Sequence, residues 1–151
     1  MDAGIYAFAP TYLDRYVQLG VAGDRIIDVS FPKDPDEDAR DDHQLFDRLN
    51  AYFEGVTDDF ADVAVGLTMA TDQRAVLETV RDIGYGEQVT VEALTRMTAG
   101  LDADEEADRQ LARTALAENP VPLVVPDHRV RDAPSGAPPD VEQKLRSLEG
   151  L

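Results

Sequence analysis

The stretch that most constrains this chain spans residues 119–130 and reads "NPVPLVVPDHRV". Its apolar residues, up to Val125, predict a buried, strand-like segment. The segment ends at Pro126 and opens onto an acid, an imidazole and a guanidinium at residues 127–129. A buried run that opens onto such a set is typical of the floor of a functional site. An aspartate at its first polar position, Asp127, is the feature that needs explanation.

The residue counts exclude several kinds of chemistry. The 151 residues suffice for one domain or for two small ones that share a core, and a hydrophobic content of 43% argues against a disordered tail. The chain has no cysteine, which excludes disulfides, thiolate metal sites and a cysteine nucleophile. His43 and His128 are its two histidines, so we expect no histidine-based metal site and no cofactor.

The charge is strongly acidic, with 31 Asp and Glu against 14 Lys and Arg and a net charge of -17. Such a surface repels itself in dilute salt, but molar salt shortens the Debye length to about 3 Å and screens the repulsion. The composition is similar to that of halophile proteins; a generic acidic protein is the alternative. We see no signal peptide in the first ten residues and no apolar run of about 18 residues, so we expect a cytoplasmic protein without a membrane span.

Residues 1–70 predict a small α+β domain. The segment 16–31 alternates and turns at Ala22-Gly23-Asp24, which indicates a hairpin with strands near 16–21 and 25–31. The preceding "GIYAFA" is a candidate third strand. A helix over 43–55 places apolar side chains on one face and stops at Gly55, and "DVAVGL" after it predicts a short strand. The helical face consists of Leu45, Leu49, Tyr52 and Phe53.

Residues 71–151 predict a mainly helical domain. Thr71 or Asp72 is a candidate cap for a helix that runs to about Ile83. Thr90 caps a second helix that stops at Gly100. A third helix follows an acidic loop and ends near Ala117, so the second and third helices form a possible helix-turn-helix. A last short helix covers "VEQKLRSLEG".

Three blocks of this second part carry a family resemblance. The segments "DQRAVLETVRDIGYGEQVTVEAL", "NPVPLVVPDHRV" and "KLRSLEG" resemble the alkylguanine-DNA alkyltransferase family, the methylated-DNA-protein-cysteine methyltransferases. The family's Pro-Cys-His-Arg-Val hallmark corresponds here to residues 126–130. The resemblance implies a ribonuclease-H-like sheet domain at 1–70 and a winged-helix-like, helix-turn-helix DNA-binding domain at 71–151.

The resemblance also implies roles for four residues. Asp127 stands where the family has the cysteine that accepts the alkyl group from a flipped-out guanine. His128 matches the histidine that relays a proton through water, Glu149 the acid that orients this histidine, and Asn119 the asparagine that braces the site. An acid–imidazole chain of this kind fixes the histidine tautomer.

The sequence departs from the family pattern at the acceptor and at the groups that handle DNA. A carboxylate is a much weaker nucleophile towards an alkyl carbon than a thiolate. The base-flipping tyrosine falls on Val91 and the arginine finger near Gln110, with Arg109 or Arg113 as displaced substitutes. The loop that walls the guanine pocket is shortened to "SGAPPD". The candidate DNA-contacting arginines form one cluster: Arg109, Arg113, Arg129 and Arg131.

Three hypotheses remain open. The first is an alkyltransferase-like protein that binds double-stranded DNA without methyltransferase activity, recognises alkylated guanine and hands it to a repair-pathway protein. The second is a dealkylating enzyme in which Asp127 accepts the alkyl group as an ester and His128 activates water. The third is a partner-binding module with no DNA role. A simpler function for Asp127, capping the turn that follows it, is also expected.

Overall fold

The computed structural model describes residues 3–151, so the first two residues of the expected N-terminal domain lie outside the described residues. Three strands form an antiparallel sheet in the order β1-β2-β3, and five α-helices follow. The strands are β1 (Ala3–Phe8), β2 (Val17–Ala22) and β3 (Arg25–Ser30). The helices are α1 (Leu45–Phe53), α2 (Thr71–Val80), α3 (Val91–Met97), α4 (Glu106–Ala117) and α5 (Pro139–Leu148). This arrangement confirms the α+β class.

The predicted hairpin is confirmed, and Gly23 explains its tight turn. Ala22 pairs with Arg25, which leaves a two-residue loop in which Gly23 has a φ of +64°. A glycine adopts this left-handed conformation without steric cost. On β2 every second side chain, at Val17, Leu19 and Val21, is buried. The period of two therefore directs one face of the sheet into the core.

Helix α1 contributes its apolar face to this core. Its apolar face is buried as predicted, and Gly55, with a φ of +104°, follows its last turn. The buried apolar residues of the sheet, of α1 and of α2 to α5 form one continuous cluster. The division of the chain at residues 70 and 71 remains a prediction.

Several predicted boundaries shift. Helix α2 begins after Ala70, whose side chain offers no cap, so the prediction of Thr71 or Asp72 as the cap was wrong. It ends at Val80, three residues before the predicted end, because Ile83 donates to the carbonyl of Val80 in a tighter i→i+3 turn. Thr90 caps α3 as predicted, by accepting from the backbone N–H of Ala93 at 3.1 Å.

Two predicted strands do not form. The "DVAVGL" segment makes a single bridge, between Val65 and Ile26. The run from Val121 to Val125 is a closed turn, in which Val125 N–H donates to the Val121 carbonyl at 2.9 Å. Leu123 within it has a φ of +80°, which a β-strand does not allow. The run is buried, as the composition suggested, but it is not extended.

Candidate functional site

The turn at 121–125 positions the first part of the site, and Asn119 holds that turn together. The Asn119 side-chain oxygen accepts from Val121 N–H at 3.0 Å, and its Nδ2 donates to the Val125 carbonyl at 3.1 Å. The turn also joins the sheet, because Val29 N–H of β3 donates to the Pro120 carbonyl at 2.8 Å. Asn119 therefore fixes the turn that leads to Asp127, while its role in bracing a functional site stays a prediction.

Asp127 opens a short 3-10 turn, Asp127–Arg129, that directly follows Pro126. Its side chain does not cap this turn, so that prediction was wrong. The carboxylate instead accepts from Asn119 Nδ2 at 2.9 Å, from Ser135 Oγ at 2.5 Å and from Gly136 N–H at 2.8 Å. The residue is 1% exposed. Burial raises the pKa of Asp127 above its usual range, although these three hydrogen bonds act in the opposite direction.

Glu149 is the centre of the second part of the site and caps the C-terminal end of α5. One carboxylate oxygen contacts His128 Nε2 at 2.8 Å, and the other accepts from Arg129 Nε at 2.8 Å and from Gly86 N–H at 3.1 Å. The Tyr52 hydroxyl donates to the same oxygen that contacts His128. The contact expected between His128 and Glu149 is therefore present in the structure.

Charge–charge contacts keep Glu149 ionised. Burial alone would raise the pKa of Glu149, but hydrogen bonds from His128 and Arg129 outweigh it and hold that pKa well below the usual range. Burial, together with the nearby negative charge of Glu149, raises the pKa of Tyr52, so its hydroxyl stays protonated and donates. An ionised Glu149 accepts from His128 Nε2 and so favours the tautomer that carries its proton on Nε2.

The other nitrogen of His128 is left without a partner. Nδ1 is buried and has no hydrogen-bond partner among residues 3–151. With the proton on Nε2, Nδ1 carries a lone pair that can accept a hydrogen bond from a water or from a substrate group. The imidazole thus keeps one buried polar atom without a partner among the described residues.

The expected DNA-contacting residues are dispersed. Arg129 is 2% exposed and donates to Glu149 and to the Ile83 carbonyl, so the prediction of a DNA-facing Arg129 does not fit its placement. Val91 is also buried, at 1% exposed, and packs in the core. Gln110 lies exposed on α4, whereas Arg109 and Arg113 are half-buried on the same helix.

The arginines of α4 are paired with an acid of their own helix. Glu106 contacts Arg109 at 2.6 Å and Arg113 at 3.7 Å, and Arg109 also donates to the Ala103 carbonyl. Ion pairs with a solvent-exposed acid are weak, so a phosphate could replace Glu106 as the partner. Helices α3 and α4 pack against each other, as a helix-turn-helix requires.

Sequence reasoning missed three contributors to the site. Tyr52 was recognised as a core residue of α1, but not as a partner of Glu149. Ser135 and Gly136 were recognised as part of a shortened loop, but not as donors to Asp127. A hydroxyl-bearing ring on an otherwise apolar helical face was the one signal for Tyr52, since a buried tyrosine hydroxyl usually finds a partner.

No group of three or more metal-binding side chains occurs within residues 3–151. None of the helices in that range is both long and apolar enough to cross a membrane.

Comparison with known proteins identifies the family. Residues 71–149 match the model of the 6-O-methylguanine DNA methyltransferase DNA-binding domain. A methylated-DNA–protein-cysteine methyltransferase of Methanopyrus kandleri is 33% identical over 129 residues, which cover 82% of this chain and 93% of that protein.

Solved structures share the fold across nearly the whole chain. The O6-methylguanine methyltransferase of Mycobacterium tuberculosis superposes with a TM-score of 0.75 at 22% identity, covering 98% of this chain and 93% of that one. A DNA complex of the methyltransferase from that organism gives a TM-score of 0.73 at 22% identity, with coverages of 98% and 91%. The match of the DNA-binding domain and the Methanopyrus relative together show that this chain belongs to the 6-O-methylguanine DNA methyltransferase family.

Proposed function

We propose that this protein is an alkyltransferase-like, DNA-binding member of its family that acts in the cytoplasm, recognises alkylated guanine and does not accept the alkyl group. The observation that carries the proposal is the state of Asp127 at the position of the family's acceptor cysteine. Its carboxylate is buried, and both of its oxygens are bound by donors. Further support comes from Asn119, which bonds to Asp127, and from His128, which contacts Glu149, because the family resemblance implies these residue types at these positions.

Chemistry argues against alkyl transfer to Asp127. A carboxylate is a weak nucleophile towards an alkyl carbon, and each hydrogen bond that it accepts lowers the availability of a lone pair further. The Ser135 and Gly136 donors would have to leave before an oxygen could approach a substrate carbon. Alkyl transfer would therefore have to break the hydrogen bonds that hold the Asp127 carboxylate in place.

Support for DNA binding comes from the match of residues 71–149 to a DNA-binding domain and from the DNA complex of a structural neighbour. The acidic surface makes the electrostatic contribution to DNA affinity small, because that contribution comes from cations that neutralise phosphates. Binding then depends on the fit of α4 in a groove and on local arginines such as Arg109 and Arg113. We also infer that the bound lesion passes to a repair-pathway protein.

The experiment is fluorescence anisotropy in molar KCl with matched duplexes that carry guanine or O6-methylguanine. Tighter binding of the methylated duplex is the expected result. Equal affinity for both duplexes would reduce the proposal to general DNA binding. The second function, a partner-binding module with no DNA role, predicts no binding to either duplex by a protein that circular dichroism shows to be folded. The burial of Val91 and the pairing of Arg109 with Glu106 favour this alternative.

The dealkylating alternative rests on the free Nδ1 of His128, which could hold a water beside an Asp127 ester. Incubation of excess protein with the methylated duplex, followed by mass spectrometry of protein and DNA, tests it. We expect the methyl group to stay on the DNA. Its loss from the DNA with wild-type protein, but not with Asp127→Asn, would establish the enzyme instead.

A further inference from the structure

The carboxylate of Asp127 is bound as a ligand would be. Its donors come from two segments: Asn119 precedes the buried turn, and Ser135 and Gly136 lie in the loop before α5. One oxygen accepts from an amide and from a backbone N–H, and the other accepts from a hydroxyl. Three converging donors on a buried, desolvated anion form an anion-binding site.

Contacts other than those to Asp127 hold these donors in place. Asn119 is fixed by its bonds to Val121 and Val125, and Ser135 Oγ accepts from Ala137 N–H at 3.0 Å. A Cβ on Gly136 would lie 2.3 Å from the Asn119 carbonyl oxygen, so only glycine permits this approach of the two segments. The donor geometry is therefore largely independent of the side chain that it binds.

We propose that Asn119, Ser135 and Gly136 form a binding site for a small carboxylate, and that Asp127 occupies this site from within the chain. The side chain of aspartate, beyond its Cα, is an acetate group. Removal of that side chain should leave a space of the size and polarity of acetate, lined by the three donors. Ser135 is half-buried and Gly136 is exposed, so an ion from solution can enter from the side of this loop.

Every external ligand of this site competes with the Asp127 side chain. A group that is to use these three donors has to displace Asp127, which is covalently attached and therefore present at a high effective concentration. In the wild-type protein the Asp127 carboxylate fills this site and is bound to the loop at residues 133–138. The apparent affinity for an external ligand therefore depends on how easily Asp127 is displaced as well as on how well the ligand fits.

The test uses the full-length chain with Asp127→Gly and Asp127→Ala. Glycine removes the whole side chain, whose volume acetate restores, whereas alanine keeps the Cβ and leaves room for formate. Thermal unfolding is followed in molar KCl while acetate or formate replaces chloride at constant ionic strength. We expect a saturable rise in Tm, of about 3 °C or more, for glycine with acetate and for alanine with formate. The wild-type Tm should not respond to either ion beyond the general salt effect.

Two controls separate a site from a salt effect. Asp41→Gly removes an exposed aspartate by the same substitution, and its Tm should respond to both ions as the wild-type Tm does. Ser135→Ala added to Asp127→Gly deletes one donor and should weaken the acetate affinity about tenfold or more. Saturation transfer from protein to the methyl protons of acetate measures binding directly by NMR.

The result that overturns the proposal is a folded Asp127→Gly or Asp127→Ala protein with no saturable response to either ion. Equal acetate affinity with and without the Ser135 hydroxyl would also overturn it. If Asp127→Gly does not fold without ligand, refolding in acetate but not in chloride supports the site, and failure in both leaves Asp127→Ala with formate to decide. The two variants together keep the test decisive.

One arm of the test rests on the proposed function. If the methylated base uses the same donors, Asp127→Gly should bind the methylated duplex more tightly than the wild-type protein does, and acetate should reverse the gain. Acetate binding without any change in duplex affinity would leave the carboxylate site intact and would show that the methylated base does not use these donors. Failure of the acetate experiment would count against the carboxylate site only.

Discussion

At the scale of single residues, the pKa values of two buried carboxylates, Glu149 and Asp127, shift in opposite directions. Glu149 is paired with the guanidinium of Arg129, and its pKa is lowered. Asp127 receives donors but no guanidinium, and its pKa is raised because burial is the dominant effect. A nearby cation, more than the number of hydrogen bonds, explains why the two pKa values shift in opposite directions.

The substitution Glu149→Gln should be strongly destabilising. It leaves the buried Arg129 without its anion and turns an amide N–H₂ towards His128 or Arg129. We expect a loss of about 3–5 kcal/mol in the free energy of unfolding, measured by urea denaturation in molar KCl at neutral pH. Glu54→Gln, the same change on an exposed residue, should cost nothing measurable. A loss below about 1 kcal/mol would show that the buried ion pair between Glu149 and Arg129 contributes no more than a surface pair.

The Glu149 contribution should also depend on pH. Because the folded-state pKa lies below the unfolded value of about 4.3, the stabilisation is present above that value and is lost as the pH falls towards the folded pKa. The stability difference between wild type and Glu149→Gln should therefore shrink on acidification below pH about 4.3. A difference that stays constant through this range would show that Glu149 is not ionised in the folded protein.

Asp127→Asn should show the opposite pH dependence. A group with a raised pKa stabilises the fold below its unfolded pKa of about 3.9, and this stabilisation is lost as the pH rises through the folded pKa. An asparagine can accept from Asn119 and Gly136 while Ser135 rotates to accept from it. We therefore expect the stability of wild type relative to Asp127→Asn to fall with rising pH in urea titrations.

Asp58→Asn is the matched control for this experiment. Burial tends to raise the pKa of Asp58, but the ion pair with Arg48 outweighs it and lowers that pKa. The stability of wild type relative to Asp58→Asn should therefore rise with pH. Parallel pH profiles for Asp127→Asn and Asp58→Asn would mean that the three donors, and not burial, control Asp127.

At the scale of elements, side chains from the N-terminal part of the chain contact α5 although they are far from it in sequence. Tyr52 of α1 reaches Glu149 at the end of α5, and the Tyr12 hydroxyl donates to the Lys144 carbonyl of α5 at 2.8 Å. Arg15 adds an ion pair with Asp140 at 2.9 Å. The N-terminal part of the chain thus positions the C-terminal helix that carries the acid of the site.

Tyr52→Phe tests this connection, because it removes one hydroxyl and keeps the ring. The lost hydrogen bond has a buried, charged acceptor, so we expect a loss of about 1.5–3 kcal/mol in the free energy of unfolding. Tyr12→Phe removes a half-buried bond to a neutral carbonyl and should cost about 1 kcal/mol or less. Equal losses in the two variants would show that the charged acceptor adds nothing to the strength of the Tyr52 hydrogen bond.

Glu106→Gln tests the arginines of α4. The substitution removes the anion that pairs with Arg109 and Arg113 without changing the shape of the helix. We expect DNA affinity to rise about two- to fivefold in anisotropy titrations, with a larger gain at lower salt. Glu54→Gln changes the net charge equally but lies on the short segment after α1 and should have no such effect. An unchanged affinity would place α4 away from the DNA.

At the scale of the whole molecule, the net charge of -17 dominates the behaviour in solution. Self-repulsion destabilises the compact state, and salt screens it. We expect the urea midpoint to rise as KCl increases from about 0.2 M to about 2 M, where the Debye length falls to only a few ångströms. Matched titrations with potassium glutamate should give a similar rise if screening is responsible. A midpoint independent of salt would contradict the halophilic interpretation.

The sequence alone determined the features that depend on neighbours along the chain. The hairpin turn at Gly23, the buried face of α1, the Thr90 cap and the end of α4 at Ala117 follow from local periodicity and capping. Family-specific spacing singled out Asn119 and His128, whose contacts with Asp127 and Glu149 the structure shows; their functional roles stay a prediction. These predictions succeed because dihedral preferences and amphipathic patterns are local properties.

Only the tertiary structure decided what the polar residues bind. The sequence predicts a strand at 121–125, but the side-chain hydrogen bonds of Asn119 close this run into a turn. It predicts that Arg129 contacts DNA, but the carboxylate of Glu149 holds Arg129 in the interior. It predicts that Asp127 caps a turn, but the loop at Ser135 and Gly136 supplies its hydrogen-bond partners. Such pairings join residues distant in sequence, so no local pattern encodes them, and burial makes them strong enough to override local preference.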